Sequence, residues 1–266
     1  MDRLNFKLRR FVWVLCFGVV VMGCYCQPVY GQRKISGKAK VALIYTVTTP
    51  ELIADTEREV REQLGENVEI ITYQAPSVFE EIRQAGYVTA APAAKMIRTY
   101  MEAIETGADA ILSICSTVGD VAFATQDVAK YLGVPIILIN EEMCREAVRM
   151  GNSIAVMATF PTAIDPTVNI IRRVAREMGK HDITVTSVLV ADAFGLAQEQ
   201  FKQRMAAEAE KVATQVDVIV FAQGSMAYCE QYIADRFQKT VLSNPRFGAK
   251  ALKTALQDKG LIEKHE

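Results

Sequence analysis

Asp109-Ala-Ile-Leu-Ser-Ile-Cys115-Ser116-Thr117-Val-Gly119-Asp120 is the stretch on which the fold turns. Ala110 to Ile114 is a short apolar run of strand character, and it ends in a cysteine and two hydroxyls. Thr117 to Asp120 has the spacing of a helix-capping pair, and the amphipathic pattern that follows to Tyr131 predicts a helix. Cys115 is thereby expected at the carboxyl end of a strand, facing the amino terminus of a helix. Unpaired N–H groups and the positive end of the helix dipole favour a thiolate there. Strand ends of open α/β sheets are also where ligands bind. Cys115 is the candidate reactive group; its competing role is that of a small buried hydrophobe.

Outward from this stretch, the chain from Lys40 alternates short apolar runs with amphipathic segments, the pattern of βαβ units and a parallel sheet. Val41 to Tyr45 reads as a first strand, with Pro50 opening a helix beside Glu51. Val68 to Tyr73 is a second strand. Ala75 to Thr89 holds Pro76 and Gly86 with few periodic apolar residues, which predicts a long loop able to cover a site. Ala90 to Thr106 reads as a helix, Pro135 to Ile139 as a fourth strand, and Asn140 as the cap of a helix from Glu141 to Met150. The pattern then restarts with a strand at Ser153 to Ala158, a helix from Pro161 to Met178 and a strand at Thr184 to Val190. A helix at Leu196 to Ala213, a strand at Asp217 to Ala222 and a helix at Met226 to Phe237 follow. Thr240 to Ser243 is a last short strand before a helix opened by Pro245.

The halves align with each other. Val41-Ala-Leu-Ile-Tyr-Thr46 matches Ile154-Ala-Val-Met-Ala-Thr159, 113 positions on, and Asp109 to Cys115 matches Asp217 to Gln223, 108 positions on. The fold class that follows is α/β, with two pseudo-symmetric flavodoxin-like lobes, each a parallel sheet flanked by helices, and the site between them. Residues 40–140 form the first lobe, with the helix at 245–259 packing back on it, and residues 141–243 form the second. Cys115 and Gln223 are expected to face each other.

Composition narrows the function classes. The 266 residues carry 30 basic and 31 acidic side chains, a formal charge of -1, so neither a nucleic-acid partner nor an acidic tail is indicated. His181 and His265 are the two histidines, neither placed for a Cys–His dyad, and no Cys/His cluster has zinc spacing. No metal is expected. At the amino terminus Lys7, Arg9 and Arg10 precede an apolar run from Phe11 to Cys26, the layout of a signal peptide spanning 1–31. Cleavage after Gly31 fits Val29 and Gly31 as the small residues. Val21-Met22-Gly23-Cys24 also resembles a lipoprotein box, which would lipidate Cys24 and attach the chain to a membrane. These features predict export, to the periplasm or as a lipoprotein. The competing readings are an uncleaved anchor, or a cytoplasmic protein starting near Met22. Three cysteines remain in the body, Cys115, Cys144 and Cys229, an odd count that leaves at least one thiol free. Cys144 and Cys229 read as packing residues.

Four segments resemble the aspartate/glutamate/hydantoin racemase superfamily, which also contains maleate isomerase and arylmalonate decarboxylase. They are Cys115-Ser116-Thr117, Ala155-Val-Met-Ala-Thr159, Ala222-Gln-Gly-Ser-Met226, and Val241-Leu-Ser-Asn-Pro245 followed by Gly248 and Leu252. The resemblance implies a pair of α/β lobes with a substrate carboxylate between them and no cofactor. In the family's racemases a cysteine from each lobe faces the substrate's α-carbon, one removing the proton as thiolate and the other returning it on the opposite face. This sequence departs from that pattern, because the second-lobe cysteine falls at Gln223, an amide that is neither acid nor base near neutral pH.

Cys115 is therefore the expected acid or base. Thr46, Ser116, Thr117, Thr159 and Thr162 are candidate carboxylate donors beside helix starts, with ordinary capping as their alternative. Gln223, Gly224 and Ser225 are expected to line the opposite wall. The function these residues predict is a cofactor-independent racemase or epimerase acting on a small amino acid or related carboxylic acid. A decarboxylase or lyase on the same scaffold, and an exported binding protein for a small anion, are the alternatives. A homo-oligomer is compatible with each.

Overall fold

The computed structural model of the protein describes residues 37–263; the leader with Cys24, the cleavage point after Gly31, and His265 lie outside the described residues. No helix among the described residues is long and apolar enough to cross a membrane. The first half begins with β1 (Ala39–Tyr45) and α1 (Pro50–Leu64). Thr49 caps α1, its side chain accepting from the Leu52 N–H at 3.3 Å, with Pro50 at the helix start and Glu51 in the first turn. Then come β2 (Val68–Gln74), α2 (Pro76–Ala85), α3 (Ala90–Glu105), β3 (Ala110–Ile114), α4 (Gly119–Tyr131), β4 (Ile136–Leu138) and α5 (Glu141–Met150). The second half runs β5 (Ser153–Ala158), α6 (Ile164–Glu177), β6 (Thr184–Leu189), α7 (Gln198–Glu210), β7 (Val218–Phe221), α8 (Glu230–Phe237), β8 (Thr240–Ser243) and α9 (Asn244–Asp258).

Three local expectations fail for identifiable reasons. The segment expected to be a loop between Ala75 and Thr89 contains α2. Pro76 opens that helix, Val78 and Ile82 bury one turn apart, and Gly86 closes it at φ 79°. Asn140 does not cap α5; its buried side-chain amide donates instead to Thr167 Oγ1 at 3.3 Å. The helix expected from Met226 opens with a 3₁₀ segment, Gly224–Cys229, and turns α-helical only at Glu230.

Each half builds a four-stranded parallel sheet, in the orders β2-β1-β3-β4 and β6-β5-β7-β8. The order reverses between β1 and β3, and again between β5 and β7, which opens a crevice at the carboxyl ends of those strands. Tyr45 pairs with Ile114 and Met157 with Phe221. Thr46 and Cys115 thus leave the first sheet side by side, as Thr159 and Gln223 leave the second.

Matching strand-start contacts support the duplication. Asp109, just before β3, accepts from the Lys40 N–H at 2.8 Å. Asp217, just before β7, accepts from the N–H groups of Asn152 and Ser153 at 2.8 and 2.9 Å. Residues 108 positions apart thus tie the starts of equivalent strands. The backbone N–H groups of Ser153 and Asn152, with the Ser153 hydroxyl, hold the Asp217 carboxyl below its ordinary range.

Strand alternation fills three apolar layers. Val41, Leu43 and Tyr45 face outward with Ala110, Leu112 and Ile114 and meet Ala249, Leu252 and Leu256 of α9. Ala155, Met157, Ile219 and Phe221 form the outer layer of the second sheet with Phe201 and Met205 of α7. Ala42, Ile44 and Ile111 share a continuous central cluster with Ile154, Val156, Val218 and Val220. Helices α4, α5 and α6 contribute to that cluster, so the two sheets are packed into one unit. A Cβ on Gly248 would come within 2.8 Å of Ile139 Cγ1 and 3.2 Å of the Ile139 backbone, so α9 reaches the end of β4 only because that residue is glycine.

Candidate active site

The two strand-end crevices open into one cavity of about 40 Å³. From the first sheet it is lined by Thr46, Cys115, Ser116 and Thr117, and from the second by Gln223, Gly224 and Ser225. Of the sequence-expected residues, Thr159 and Thr162 do not reach it. Thr159 stands behind the wall: its backbone N–H and hydroxyl donate to Gln223 Oε1 at 2.6 and 3.1 Å. Thr162 Oγ1 lies 3.5 Å from Thr117 Oγ1, a contact between the loops of the two halves.

Cys115 is partly exposed, whereas Cys144 and Cys229 are buried. It precedes a 3₁₀ turn, Ser116–Val118, and α4 begins only at Gly119. The expected Thr117–Asp120 capping pair does not form, because Val118 occupies the cap position without a side-chain bond and Thr117 turns toward Thr162. Burial pushes the Cys115 thiol up, against the pull of the Thr46 hydroxyl, the Val118 and Thr117 N–H groups and the Thr117 hydroxyl. The sequence-based expectation of a resting thiolate is therefore corrected: desolvation outweighs the helix start, which is one turn further away.

Thr46 is buried and its hydroxyl has no oxygen or nitrogen partner, so it is free to donate to a thiolate or an incoming oxyanion. The Ser116 hydroxyl is not free: it donates to the Ala222 carbonyl across the junction of the two halves. Asn244 Nδ2 donates to the same carbonyl at 3.3 Å. These bonds fix the turn before Gln223 against the turn after Cys115. Behind Cys115, the Tyr100 hydroxyl shares a buried 2.8 Å bond with Ser113 on β3.

The apolar part of the wall was not identifiable from sequence motifs. Leu52, Phe79, Ile139, Phe160 and Phe194 all line the cavity. Phe160 is central, its ring 4.9 Å from Phe79 and 4.8 Å from Phe194. Phe79 sits on α2, in the segment expected to be a covering loop. Phe194 lies in the Asp192–Gly195 loop. Only the first of these segments, Ala75 to Thr89, carried a sequence hint of a cover. Among the described residues, no three His, Cys, Asp or Glu side chains converge to hold a metal ion.

The sequence profile of the Asp/Glu/Hydantoin racemase family matches residues 41–252. No protein of curated function matches the chain. Among solved structures, the fold is similar to an allantoin racemase from Klebsiella pneumoniae, at TM-score 0.57 and 20% identity over 85% of this chain and 91% of that one. It is also similar to a glutamate racemase from Bacillus anthracis, at TM-score 0.63 and 16% identity over 86% and 85%. A maleate isomerase from Pseudomonas putida is similar at TM-score 0.55 and 15% identity over 82% and 92%.

Proposed function

The chain belongs to the Asp/Glu/hydantoin racemase family, and from that premise we propose that it is a cofactor-independent racemase or epimerase whose acid/base is Cys115. Its substrate is a small amino acid or related carboxylic acid. The observation that carries this reading is the position of the Cys115 sulfur. It stands at the strand-order reversal of one sheet, opens to a cavity shared with the other, and has four donors able to stabilise its thiolate.

Ionised, Cys115 takes a proton from the carbon next to the substrate carboxylate, leaving an enolate-like intermediate. The Thr46 and Thr117 hydroxyls and the backbone N–H groups after Cys115 and Gln223 hold the developing oxyanion. Gln223 can donate a hydrogen bond from the far wall but cannot exchange a proton near neutral pH. Return of the proton on the far face therefore falls to the Ser225 hydroxyl or a water, while return on the near face comes from the Cys115 thiol. In deuterium oxide the substrate should acquire deuterium at that carbon, faster from one enantiomer than from the other. Equal rates would mean a second base.

One observation favours a second reading, a decarboxylase or lyase. Burial disfavours ionisation of the Cys115 thiol, and a protonated thiol is suited to quenching a carbanion left by departing carbon dioxide. Carbon dioxide release from malonate-type acids separates this reading from the first.

A further inference from the structure

Among the described residues, the cavity wall is uncharged: no lysine, arginine or histidine lines it, and no aspartate or glutamate. One side offers hydroxyl, amide and backbone donors; the other is the Phe79–Phe160–Phe194 cluster, reinforced by Leu52 and Ile139. The aromatic side is drawn from both halves, since Phe79 rides on α2 while Phe160 and Phe194 follow β5 and β6. Such a wall satisfies one carboxylate and strips water from whatever else enters. A second carboxylate would find no cation there, and a free ammonium would find no carboxylate. Gln223 Oε1 on the far wall already accepts from two donors of Thr159.

Taking the proton-transfer reading as its basis, we infer that the site selects a carbon acid with a single carboxylate and no free ammonium group. Its substituent is apolar, aromatic by preference, and packs against Phe79, Phe160 and Phe194. Edge-to-face and tilted ring contacts give such a substituent defined partners. The cavity of about 40 Å³ holds only a few waters, so the three rings separate when the substituent enters.

The test is equilibrium binding to the full chain by titration calorimetry, with three probes: 3-phenylpropanoate; glutarate, which exchanges the ring for a second carboxylate; and phenylalanine, which adds an ammonium group. 3-Phenylpropanoate should bind roughly tenfold tighter than either of the others. Phe79→Ala should weaken 3-phenylpropanoate roughly tenfold and leave glutarate unchanged; Phe79→Leu, which keeps α2 packed, should give a smaller loss in the same direction. Glutarate or phenylalanine binding as tightly as 3-phenylpropanoate, or no binding of 3-phenylpropanoate at all, overturns the inference. The binding order does not depend on catalysis. Deuterium exchange that survives loss of the Cys115 thiol would refute the proton-transfer reading while leaving the selectivity result interpretable.

Discussion

Gln223 Oε1 accepts from both the backbone N–H and the hydroxyl of Thr159, at 2.6 and 3.1 Å. A backbone N–H can only donate, so the amide oxygen must face Thr159 and the amide nitrogen is left toward the cavity. The wall opposite Cys115 therefore presents a hydrogen-bond donor held in one orientation. Gln223→Glu should keep the Thr159 bonds but bring a negative charge to a wall that meets the substrate carboxylate. KM should rise about tenfold or more with a smaller change in kcat. An unchanged KM would mean that Gln223 does not face the substrate.

Gln223→Cys places a thiol at the pseudo-symmetric counterpart of Cys115. Exchange of the substrate α-proton in deuterium oxide should become more nearly equal for the two enantiomers than in the wild type. Exchange that remained as one-sided as before would show that the far wall does not reach the reacting carbon.

The ionisation of Cys115 gives a signed pH prediction. Burial holds the thiol above its ordinary range while the Thr46 and Thr117 donors pull it down. The reactive thiolate should accumulate only as pH rises into the alkaline range, so alkylation of Cys115 should accelerate with pH and reach its midpoint above that of a free cysteine. Thr46→Val removes a donor to the thiolate and should move the midpoint higher still. A midpoint below that of a free thiol, or a downward shift in Thr46→Val, would contradict the assignment.

Asp217 ties Asn152 and Ser153 at the start of β5, and its carboxyl is held below its ordinary range by those N–H groups. A depressed carboxylate contributes stability that is present above its unfolded-state pKa and lost as pH falls through the folded one. Asp217→Asn should lower the melting temperature near neutral pH, and the gap to wild type should narrow on acidification. A constant gap across pH would mean that the charge contributes nothing.

Tyr100 and Ser113 share a buried hydroxyl–hydroxyl bond at 2.8 Å, two residues before Cys115. Tyr100→Phe leaves the Ser113 hydroxyl without that partner and should cost about 1–3 kcal/mol in denaturant unfolding. Tyr100→Phe combined with Ser113→Ala should cost less than the two single losses added together. Additive losses would show that the pair is not coupled.

The sheets were legible because buried parallel strands write themselves as apolar runs: Val41 to Tyr45, Ala110 to Ile114 and Asp217 to Ala222 needed no tertiary information. The match of Asp109 to Asp217 was legible for the same reason and gains meaning from their shared backbone contacts. Helix α2 was missed because two buried residues, Val78 and Ile82, make too short a stripe to register as periodic. Its Pro76 and Gly86 are helix punctuation as much as loop signals. The aromatic wall escaped because Phe79, Phe160 and Phe194 lie in three separate segments and meet only through the fold. For Thr159, spacing alone does not say whether a hydroxyl at a strand end turns toward the cavity or toward its neighbour. Depth of burial, which raises the Cys115 thiol, is likewise invisible in a linear chain.

The most direct measurement is solvent-deuterium incorporation into a panel of amino, hydroxy and aryl-substituted carboxylic acids. Wild type and Cys115→Ala are compared at matched folded concentrations. The account predicts exchange at the carbon beside the carboxylate in the wild type and its loss in Cys115→Ala. Exchange retained in Cys115→Ala would contradict it, because the proton would then be moving through some other group.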